Sequence, residues 1–585
     1  MVTTVTTAPS LDETVAASAV EAPAPAREER GRSFGRVVGS AALVGLGLRI
    51  AIALTDRAPS TDEVAYLRSG LSLAAGDGFD RVPGRPELHF PPFVPFLMGL
   101  ASKLFDDPHT AAVVITCLAS AALVLPLALL ARRAAGRRAG KITAWVVALT
   151  PGLSTTFVIS GGGSEAVYTL LLVTAAWLAV VASSHTGRTQ LAWIAGSGLS
   201  AGFAYLTRPE GLMAALPLLV AVVVPVVLVA RAGGAGLVGW ARAAALPGAA
   251  FLVALAVCVV PYARFLHSNT GSWELSAKSQ DVSIEAWRAV ADGDRRARDE
   301  ELYALDESGL ELASDERTSL PALAREDPSG YAGIFGTNVV NLFDTQISSF
   351  GGHPFVWLLL PLPLWGFAVL GAWRLRRSRT VGLLLAIGAL PVATALVFFV
   401  QPRYLITAVA PATVLVGVGL ASIASERRRR GLLAGTFVLL ALSCAFAFEG
   451  GAGWGHPSDQ LSQRRAGEWI NANTAPDDRL MARSMVVEFY ADRATAPIPY
   501  GSYDEILRFA RHYGVEYLVV DPSTYNRLRP QLSFLRSVDT TPALRLVASV
   551  RADSQTTRIF ALDPAPTGEG APITQGLGYV GDATG

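Results

Sequence analysis

The chain has 585 residues, of which 51% are hydrophobic and only 17% are charged. Soluble proteins carry about 25% charged residues, so this composition excludes an ordinary soluble protein and favours one embedded in a membrane. The formal net charge of +1 gives no electrostatic support for a nucleic-acid partner. Cys117, Cys258 and Cys444 lie far apart in apolar runs, which excludes a disulfide framework and a cysteine metal site.

Eleven apolar segments of the chain are long enough to cross a membrane as helices, since about 30 Å of hydrocarbon takes roughly 20 helical residues. They are 37–55, 110–131, 142–160, 164–183, 190–207, 211–230, 243–263, 353–373, 380–400, 404–424 and 431–449. Residues 37–450 are therefore predicted to form a polytopic α-helical membrane domain. Residues 1–36, rich in Ala, Pro, Thr and Glu, predict a disordered cytoplasmic tail.

Basic residues are unevenly divided between the connectors of these spans. Twenty of them lie in one alternate set, near residues 27–36, 132–141, 188, 231–242, 374–379 and 427–430. The short connectors on the other side hold only Arg208 and Arg403. The positive-inside rule places the first set in the cytoplasm, so the N-terminus is predicted inside and the C-terminus, after eleven crossings, outside.

Three soluble segments are then predicted to face the exterior. They are 56–109, 264–352 and 456–563. In the first, 91–105 is apolar but spans only about 22 Å as a helix, which favours a position in the membrane interface. In the third, helix-like stretches (460–471 and 503–513) alternate with strand-like ones (517–521, 545–550 and 558–562). This alternation is typical of a small α/β domain, and residues 564–585 after it predict a disordered tail.

The acidic pair Asp62-Glu63 follows the first predicted span on its outer side. In a partly apolar site such carboxylates gain pKa values in the range useful to a general base. The same residues also suit the first turn of a helix that Ser60, Thr61 or Asp62 caps. Both interpretations stay open on this motif alone.

Two outer turns each hold a single arginine against the prevailing charge asymmetry, in Arg208-Pro209-Glu210 and in Arg403-Tyr404. Arginine suits bidentate, charge-assisted binding of phosphate oxygens, so these two side chains are candidates for a lipid phosphate at headgroup depth. The alternatives are snorkelling to phospholipid headgroups and a local pair of Arg208 with Glu210.

Three further residues are candidates on weaker grounds. Arg49 lies inside the first span, where an arginine indicates a carboxylate or phosphate partner, although snorkelling also satisfies it. Glu165 opens the fourth span, where a helix-capping role is favoured over a ligand role. His89 is the only histidine in residues 56–100, and a lone histidine more often binds neither metal nor substrate.

Taken together these pieces resemble the bacterial membrane glycosyltransferases of the GT-C superfamily, which are related to protein O-mannosyltransferases and to the lipid A aminoarabinose transferases. The matching elements are Arg49, Asp62-Glu63 with Tyr66, Gly76-Asp77-Gly78, His89-Phe90-Pro91-Pro92, Ser164-Glu165, Leu206 to Gly211, and Arg403-Tyr404-Leu405 with Pro411. They cover residues 45–425 in the same order, and the outer α/β domain also fits.

The resemblance implies a polyprenyl-phosphate sugar donor and an acceptor hydroxyl on a cell-envelope glycan, lipid or protein, at the outer face of a bacterial cytoplasmic membrane. It implies the following roles: Asp62 and Glu63 as catalytic acids, Arg208, Arg403 and Arg49 on the donor phosphate, and Tyr66, His89, Glu165, Glu210 and Tyr404 on substrate. No cofactor is firmly implied by the resemblance. A divalent cation stays open as an alternative, although the sequence shows no second, well-separated Asp/Glu motif of the metal-dependent oligosaccharyl type, which speaks against it.

Three other functions stay open as alternatives, one of which is a non-catalytic sugar-binding or scaffold protein with the 456–563 domain as its working part. A ligase or polymerase of surface polysaccharide also uses outer arginines, and its chemistry would lie in the 264–352 loop. A flippase for lipid-linked sugars would show polar, Gly/Pro-broken spans and inverted repeats, whereas the spans here are nearly uncharged apart from Arg49. A single displacement from a lipid phosphate with one carboxylate base, which inverts the anomeric centre, fits the motifs best.

Overall fold

The computed structural model describes residues 24–54, 58–82, 85–154, 163–277, 294–313, 324–343, 360–398, 400, 402–448, 457–552, 554–563 and 570–571. Helices occupy most of the described chain up to residue 448, and a mixed α/β unit follows from residue 457. Most of the predicted C-terminal tail and residues 1–23 of the predicted N-terminal tail lie outside the described residues.

The first seven helices are α1 (Ala24–Ala53), α2 (Thr61–Ala75), α3 (Phe93–Ser102), α4 (Pro108–Ala122), α5 (Val124–Leu149), α6 (Glu165–Ala182) and α7 (Gly187–Tyr205). The next eight are α8 (Ala215–Ala232), α9 (Leu237–Thr270), α10 (Arg295–Leu302), α11 (Pro328–Phe343), α12 (Leu362–Arg374), α13 (Arg379–Val397), α14 (Pro402–Ala421) and α15 (Glu426–Phe448). A short hairpin of β1 (Asp80–Val82) and β2 (Arg85–Pro86) lies between α2 and α3. Because α1 begins at Ala24, the end of the predicted disordered tail 1–36 is helical, in a stretch of Ala, Glu and Arg that favours helix.

A helix lies on each of the eleven predicted spans, although residues 55, 155–160, 353–359, 399 and 449 of these spans are outside the described residues. In the described part of the chain, seven helical stretches are long and apolar enough to cross a membrane. They are Ser33–Ala53, Pro108–Leu149, Glu165–Ala182, Pro209–Ala232, Leu237–Thr270, Arg379–Val397 and Arg403–Ala421. The polytopic helical fold class is confirmed, and the count of eleven crossings stays a prediction.

One of these stretches, 42 residues long from Pro108 to Leu149, is folded back on itself. Its helical backbone breaks at Ala135 and Gly136, and Gly136 has φ +84°, in the region that favours glycine. A Cβ added to Gly140 would lie 2.7 Å from the carbonyl oxygen of Ala128, twelve residues earlier, so the two halves run side by side. The stretch therefore supplies two antiparallel segments, as the separate predicted spans 110–131 and 142–160 require.

Helices α2 and α3 cross at a contact between two glycines. A Cβ on Gly70 would lie 2.4 Å from the carbonyl oxygen of Pro95, and one on Gly99 would lie 2.0 Å from the carbonyl oxygen of Gly70. A residue larger than glycine at either position would force one of the two helices to move. The predicted interfacial segment 91–105 thus contains α3, which packs against the helix that begins with the acidic pair.

The α/β unit contains the helices α16 (Pro457–Asn473), α17 (Met485–Ala491) and α18 (Tyr503–His512). Its strands are β3 (Leu480–Met481), β4 (Thr495–Ala496), β5 (Tyr517–Val520), β6 (Leu544–Ala552) and β7 (Gln555–Leu562), in the sheet order β4-β3-β5-β7-β6. The pairs β4–β3 and β3–β5 are parallel and the pairs β5–β7 and β7–β6 antiparallel. Leu518 and Val520 enter one apolar core and Val519 the other, as the two-residue period of a strand requires. The predicted α/β fold of this region is confirmed.

The predicted outer segment 264–352 contacts this unit through Asp299 of α10. The Asp299 carboxylate pairs with Nη2 of Arg483 at 2.6 Å and with Nη1 of Arg529. Burial raises the pKa of Asp299, but the two guanidiniums outweigh burial and hold this pKa below its usual value. Asp299 therefore stays ionised and ties α10 to the unit.

The α/β unit also contacts the helices of the first outer segment. Glu488 of α17 pairs with Arg68 of α2 at 2.6 Å, and Arg464 of α16 pairs with Asp107, just before α4, at 3.6 Å. Met485 and Val486 of α17 belong to the same core cluster as the membrane helices, whereas Val487 and Ala491 belong to a core cluster of the α/β unit. The unit is thus docked on the helix that carries Asp62.

Candidate functional site

The acidic pair lies in the first turn of α2. The Ser60 hydroxyl accepts a hydrogen bond from the Glu63 N–H at 3.3 Å, so Ser60 is the cap that the first-turn interpretation predicts. The two carboxylates do not serve as caps themselves. Both are buried, Asp62 with 8% and Glu63 with 0% of its surface exposed, and burial of a carboxylate is costly without partners.

Asp62 pairs with an arginine that is distant from it in the sequence. Nη1 of Arg403 donates a hydrogen bond to Oδ2 of Asp62 over 2.7 Å, across 341 positions in the chain. Arg403 is the second residue of α14, so the pair joins the beginnings of α2 and α14. Two residues that were predicted independently therefore meet in the fold.

Arg208 lies among carboxylates and a hydroxyl at the ends of α6 and α7. Its Nη1 donates to Oε1 of Glu165 at 2.8 Å and to Oγ of Ser164 at 3.2 Å, and its Nη2 lies 3.5 Å from Oε1 of Glu210. The predicted local pair with Glu210 is therefore present, but the shorter ion pair is the one with Glu165. The Glu165 carboxylate forms an ion pair with the Arg208 guanidinium, so the helix-capping role alone does not describe this residue.

Tyr404 and Tyr66 connect the two arginines. The guanidinium carbons of Arg208 and Arg403 lie 5.1 Å and 5.2 Å from the centre of the Tyr404 ring, within cation–π distance. The Tyr66 hydroxyl donates to Oγ of Ser164 at 3.1 Å, the same atom that Arg208 contacts. Burial and neighbouring acids raise the pKa of Tyr66, so its hydroxyl stays protonated. The two arginines thus belong to one cluster.

His89 lies beside this cluster in a turn that Glu87 organises. The Glu87 carboxylate accepts hydrogen bonds from the backbone N–H of His89 at 2.8 Å and of Phe90 at 3.0 Å, and it pairs with Arg81 at 2.5 Å. The Phe90 ring lies 4.5 Å from the ring of Tyr66. Glu87 is a residue that the sequence did not single out, since an isolated acid two positions before His89 carries no motif.

Glu63 faces a different partner from its neighbour Asp62. Its Oε1 lies 2.5 Å from Nδ1 of His109 at the beginning of α4, and His109 is buried with 6% of its surface exposed. His109 is also absent from the predicted site. The sequence signal there, Asp107-Pro108 before it, indicates the beginning of a helix and nothing about a contact with Glu63.

Arg49 is held by other elements. Its Nε donates to Oγ of Ser120, its Nη1 to the carbonyl oxygens of Gly45 and Ala148, and its Nη2 to that of Leu153. Four of the five N–H groups of this fully buried guanidinium are thereby used. The snorkelling alternative does not describe this arginine, and its predicted contact with a donor phosphate stays a prediction that this geometry does not favour.

The cluster of Asp62, Arg403, Tyr404, Arg208 and Glu165 combines a carboxylate able to accept a proton with two cations able to hold a phosphate. Within the residues that the structure describes, no group of three or more His, Cys, Asp or Glu side chains is placed to hold a metal ion.

Comparison with known families matches part of the chain. Residues 89–262 match the profile of the dolichyl-phosphate-mannose-protein mannosyltransferase family. That stretch includes His89, Glu165, Arg208 and Glu210 and stops short of Arg403. Sequence comparison with curated proteins gives no match.

Solved structures match nearly the whole chain. The apo oligosaccharyltransferase of Archaeoglobus fulgidus aligns with a TM-score of 0.58 at 15% identity, over 89% of this chain and 80% of that one. The same enzyme, AglB, in complex with an inhibitory peptide and a dolichol-phosphate aligns at 0.54 and 17%, over 85% and 70%. ArnT from Cupriavidus metallidurans bound to undecaprenyl phosphate aligns at 0.52 and 17%, over 91% and 98%. These likenesses confirm the predicted GT-C fold.

Proposed function

On the premise of this GT-C fold, we propose that the protein is an integral membrane glycosyltransferase. It moves a sugar from a polyprenyl-phosphate donor to an acceptor hydroxyl, with Asp62 as the general base and with Arg208 and Arg403 on the donor phosphate. The observation that carries the proposal is the Asp62–Arg403 pair at 2.7 Å, beside a tyrosine ring that both arginines contact. This contact supports the proposal because it brings a carboxylate and a guanidinium, the two groups that the reaction needs, next to each other.

The reaction needs one displacement. The Asp62 carboxylate takes the proton of the acceptor hydroxyl as its oxygen attacks the anomeric carbon. The bond from that carbon to the phosphate oxygen breaks, and its electron pair leaves with the polyprenyl phosphate. Arg208 and Arg403 stabilise the negative charge that grows on the phosphate, and the single inversion gives a product of opposite anomeric configuration.

The ion pairs of the cluster suit an exchange of partners. A phosphate that binds Arg403 competes with Asp62, and Asp62 becomes a stronger base once the guanidinium turns to the phosphate. A donor that enters the site therefore activates the base that will act on the acceptor. Arg208 is paired with Glu165 in the same way, at 2.8 Å, and offers the second cation.

The nature of the donor is supported by the structural neighbours, since ArnT was solved with undecaprenyl phosphate and AglB with a dolichol-phosphate. The acceptor belongs to the cell envelope as a glycan, a lipid or a protein. The charge distribution of the connectors supports a cytoplasmic membrane location with the N-terminus inside and the α/β unit outside.

The test is sugar transfer by purified protein in liposomes, with a panel of polyprenyl-phosphate sugars and an envelope extract as acceptor. Asp62→Asn is expected to lower the release of polyprenyl phosphate by about 10²- to 10⁴-fold, the range of a general base. The matched control is Asp106→Asn, an exposed carboxylate of the same outer segment, which is expected to leave turnover unchanged. Donor binding by the Asp62 variant, measured separately, shows that it is folded.

The outcomes separate this proposal from its alternatives. Turnover that survives Asp62→Asn would remove Asp62 as the base and direct attention to segment 264–352, where a polysaccharide ligase or polymerase would hold its chemistry. Movement of a lipid-linked sugar across the bilayer without transfer would identify a flippase instead.

A further inference from the structure

The two neighbouring acids of α2 contact different helices. Asp62 pairs with Arg403 of α14, and Glu63 pairs with His109 of α4. Consecutive residues of a helix point about 100° apart, so a single orientation of α2 about its axis allows both contacts at once. A rotation of α2 that breaks one of these contacts would also move the other carboxylate away from its partner.

The Glu63–His109 contact joins the N-terminal turns of two capped helices. The Ser60 hydroxyl accepts from the Glu63 N–H at 3.3 Å, and the Asp107 carboxylate accepts from the His109 N–H at 3.2 Å. Each helix start is thus fixed by its own cap, and the side-chain contact of 2.5 Å ties the two starts together. The position of α2 relative to α4 is set at the residue beside Asp62.

Burial makes this contact a demanding one. Glu63 has no exposed surface and His109 has 6%, so loss of either side chain leaves a polar or charged group buried without its partner. The α/β unit lies nearby, with Arg464 paired to Asp107 at 3.6 Å and placed 4.9 Å from the ring centre of Tyr490.

Resting on the proposed function, we propose that Glu63 and His109 form a positioning pair for the reaction. The pair contacts neither donor nor acceptor. It holds α2 so that the Asp62 carboxylate faces Arg403 and the reacting sugar. The two adjacent acids thereby have different roles, with Asp62 as the base and Glu63 as the residue that supports its position.

Two isosteric substitutions on adjacent residues distinguish a base from a support. The amide oxygen of Glu63→Gln still accepts a hydrogen bond from Nδ1 of His109, so kcat is expected to fall less than tenfold. The amide of Asp62→Asn cannot accept the proton, so kcat of this variant is expected to fall at least a hundredfold. A loss in Glu63→Gln as large as that in Asp62→Asn would overturn the proposal, because Glu63 would then act in the chemistry.

Substitutions of the histidine test the support itself. His109→Leu is expected to lower kcat about 10- to 100-fold with the donor KM within twofold, because the phosphate site is kept and the base is displaced. His109→Asn, whose side-chain N–H can replace Nδ1–H, is expected to recover kcat to within about threefold of the wild type. The control is His185→Leu, the same change in the connector between α6 and α7. An unchanged kcat in His109→Leu, or an equal rise in KM, would contradict a positioning role.

A readout without substrate separates this inference from the proposed function. Hydrogen exchange of peptides from residues 61–75 is expected to accelerate in His109→Leu and to stay at the wild-type rate in His109→Asn and His185→Leu. If the wild type transfers no sugar, accelerated exchange would still support the link between the helices, and unchanged exchange would overturn it. If His109→Leu does not fold, the Glu63→Gln and His109→Asn results decide the matter.

Discussion

Two arginine clusters of this molecule differ in the kind of partner that holds the guanidinium. In the α/β unit, Arg529 has no exposed surface and donates to Asp299 and to the carbonyl oxygens of Pro499, Leu528 and Ile498. In the candidate site, Arg403 donates to Asp62 at 2.7 Å and reaches the Tyr404 hydroxyl only at 3.4 Å, with 13% of its side chain exposed.

This difference separates a structural arginine from one suited to a ligand. A guanidinium fixed by several backbone carbonyls cannot turn to a phosphate without the loss of several hydrogen bonds, each worth about 1 kcal/mol. A guanidinium held by another side chain can exchange that partner for a phosphate of equal charge. Arg49, inside the first span, belongs to the first kind, since three of its four hydrogen bonds go to carbonyl oxygens.

The largest effect is expected from Asp299→Ala in the structural cluster. It removes the carboxylate that pairs with the buried guanidinium of Arg529 and the partly exposed one of Arg483, and it is expected to cost about 3–5 kcal/mol in the free energy of unfolding of the α/β unit. Chemical denaturation followed by proteolysis of this unit measures the loss. Donor binding to the membrane helices is expected to be unchanged, and a donor affinity that falls with stability would remove the distinction between the clusters.

Arg403→Lys is expected to have the reverse profile. Lysine keeps a charge for Asp62 but lacks the planar fork that binds a phosphate through two parallel N–H groups. The expected result is a fall of about 10²- to 10³-fold in kcat/KM, as for loss of one group that stabilises charge in the transition state. The melting temperature is expected to stay within a few degrees of the wild type. Wild-type kcat/KM would show that Arg403 only pairs with Asp62.

The smallest effect concerns the junction between the two regions. Burial raises the pKa of Glu488 from its usual 4.5 to about 7, even though Arg68 opposes the shift from 2.6 Å and Arg81 also lies close enough to oppose it. Because the docked state binds the proton more tightly than an undocked, solvated Glu488, this contribution to docking is full below about pH 4.5. It is lost as the pH rises to about 7.

We therefore expect hydrogen exchange of residues 485–491, corrected for the intrinsic effect of pH, to accelerate between pH 5 and pH 8. The contribution is on the order of 1–3 kcal/mol. Glu488→Gln, which cannot ionise, is expected to abolish the pH dependence, and Glu300→Gln, at an exposed position of α10, is expected to keep it. A pH dependence that persists in Glu488→Gln would assign the effect to another group.

The sequence predicts the elements of this fold better than it predicts their contacts. Hydropathy locates a helix on every predicted span, and alternation locates β5, β6 and β7. It does not reveal β3 and β4, because two residues each are too few for a periodic signal.

Within the site the sequence identifies residue types and leaves their partners undetermined. The outer turns point to Arg208 and Arg403, since arginine there departs from the charge asymmetry. The partners of Asp62 and Glu63 are not predictable, because the contacts with Arg403 and His109 depend on how α14 and α4 pack on α2. Arg49 illustrates the same limit, as hydrogen bonds to carbonyl oxygens leave no mark in the sequence.

The pair of Asp62 and Arg403 also constrains how the protein is made. Because 341 positions separate the two residues, Asp62 is synthesised long before Arg403 leaves the ribosome. During that interval the carboxylate must stay hydrated at the membrane surface or find a temporary partner, since an unpaired buried charge is costly. The pair forms only once α14 has been made, so a nascent chain that stops before α14 holds Asp62 without Arg403.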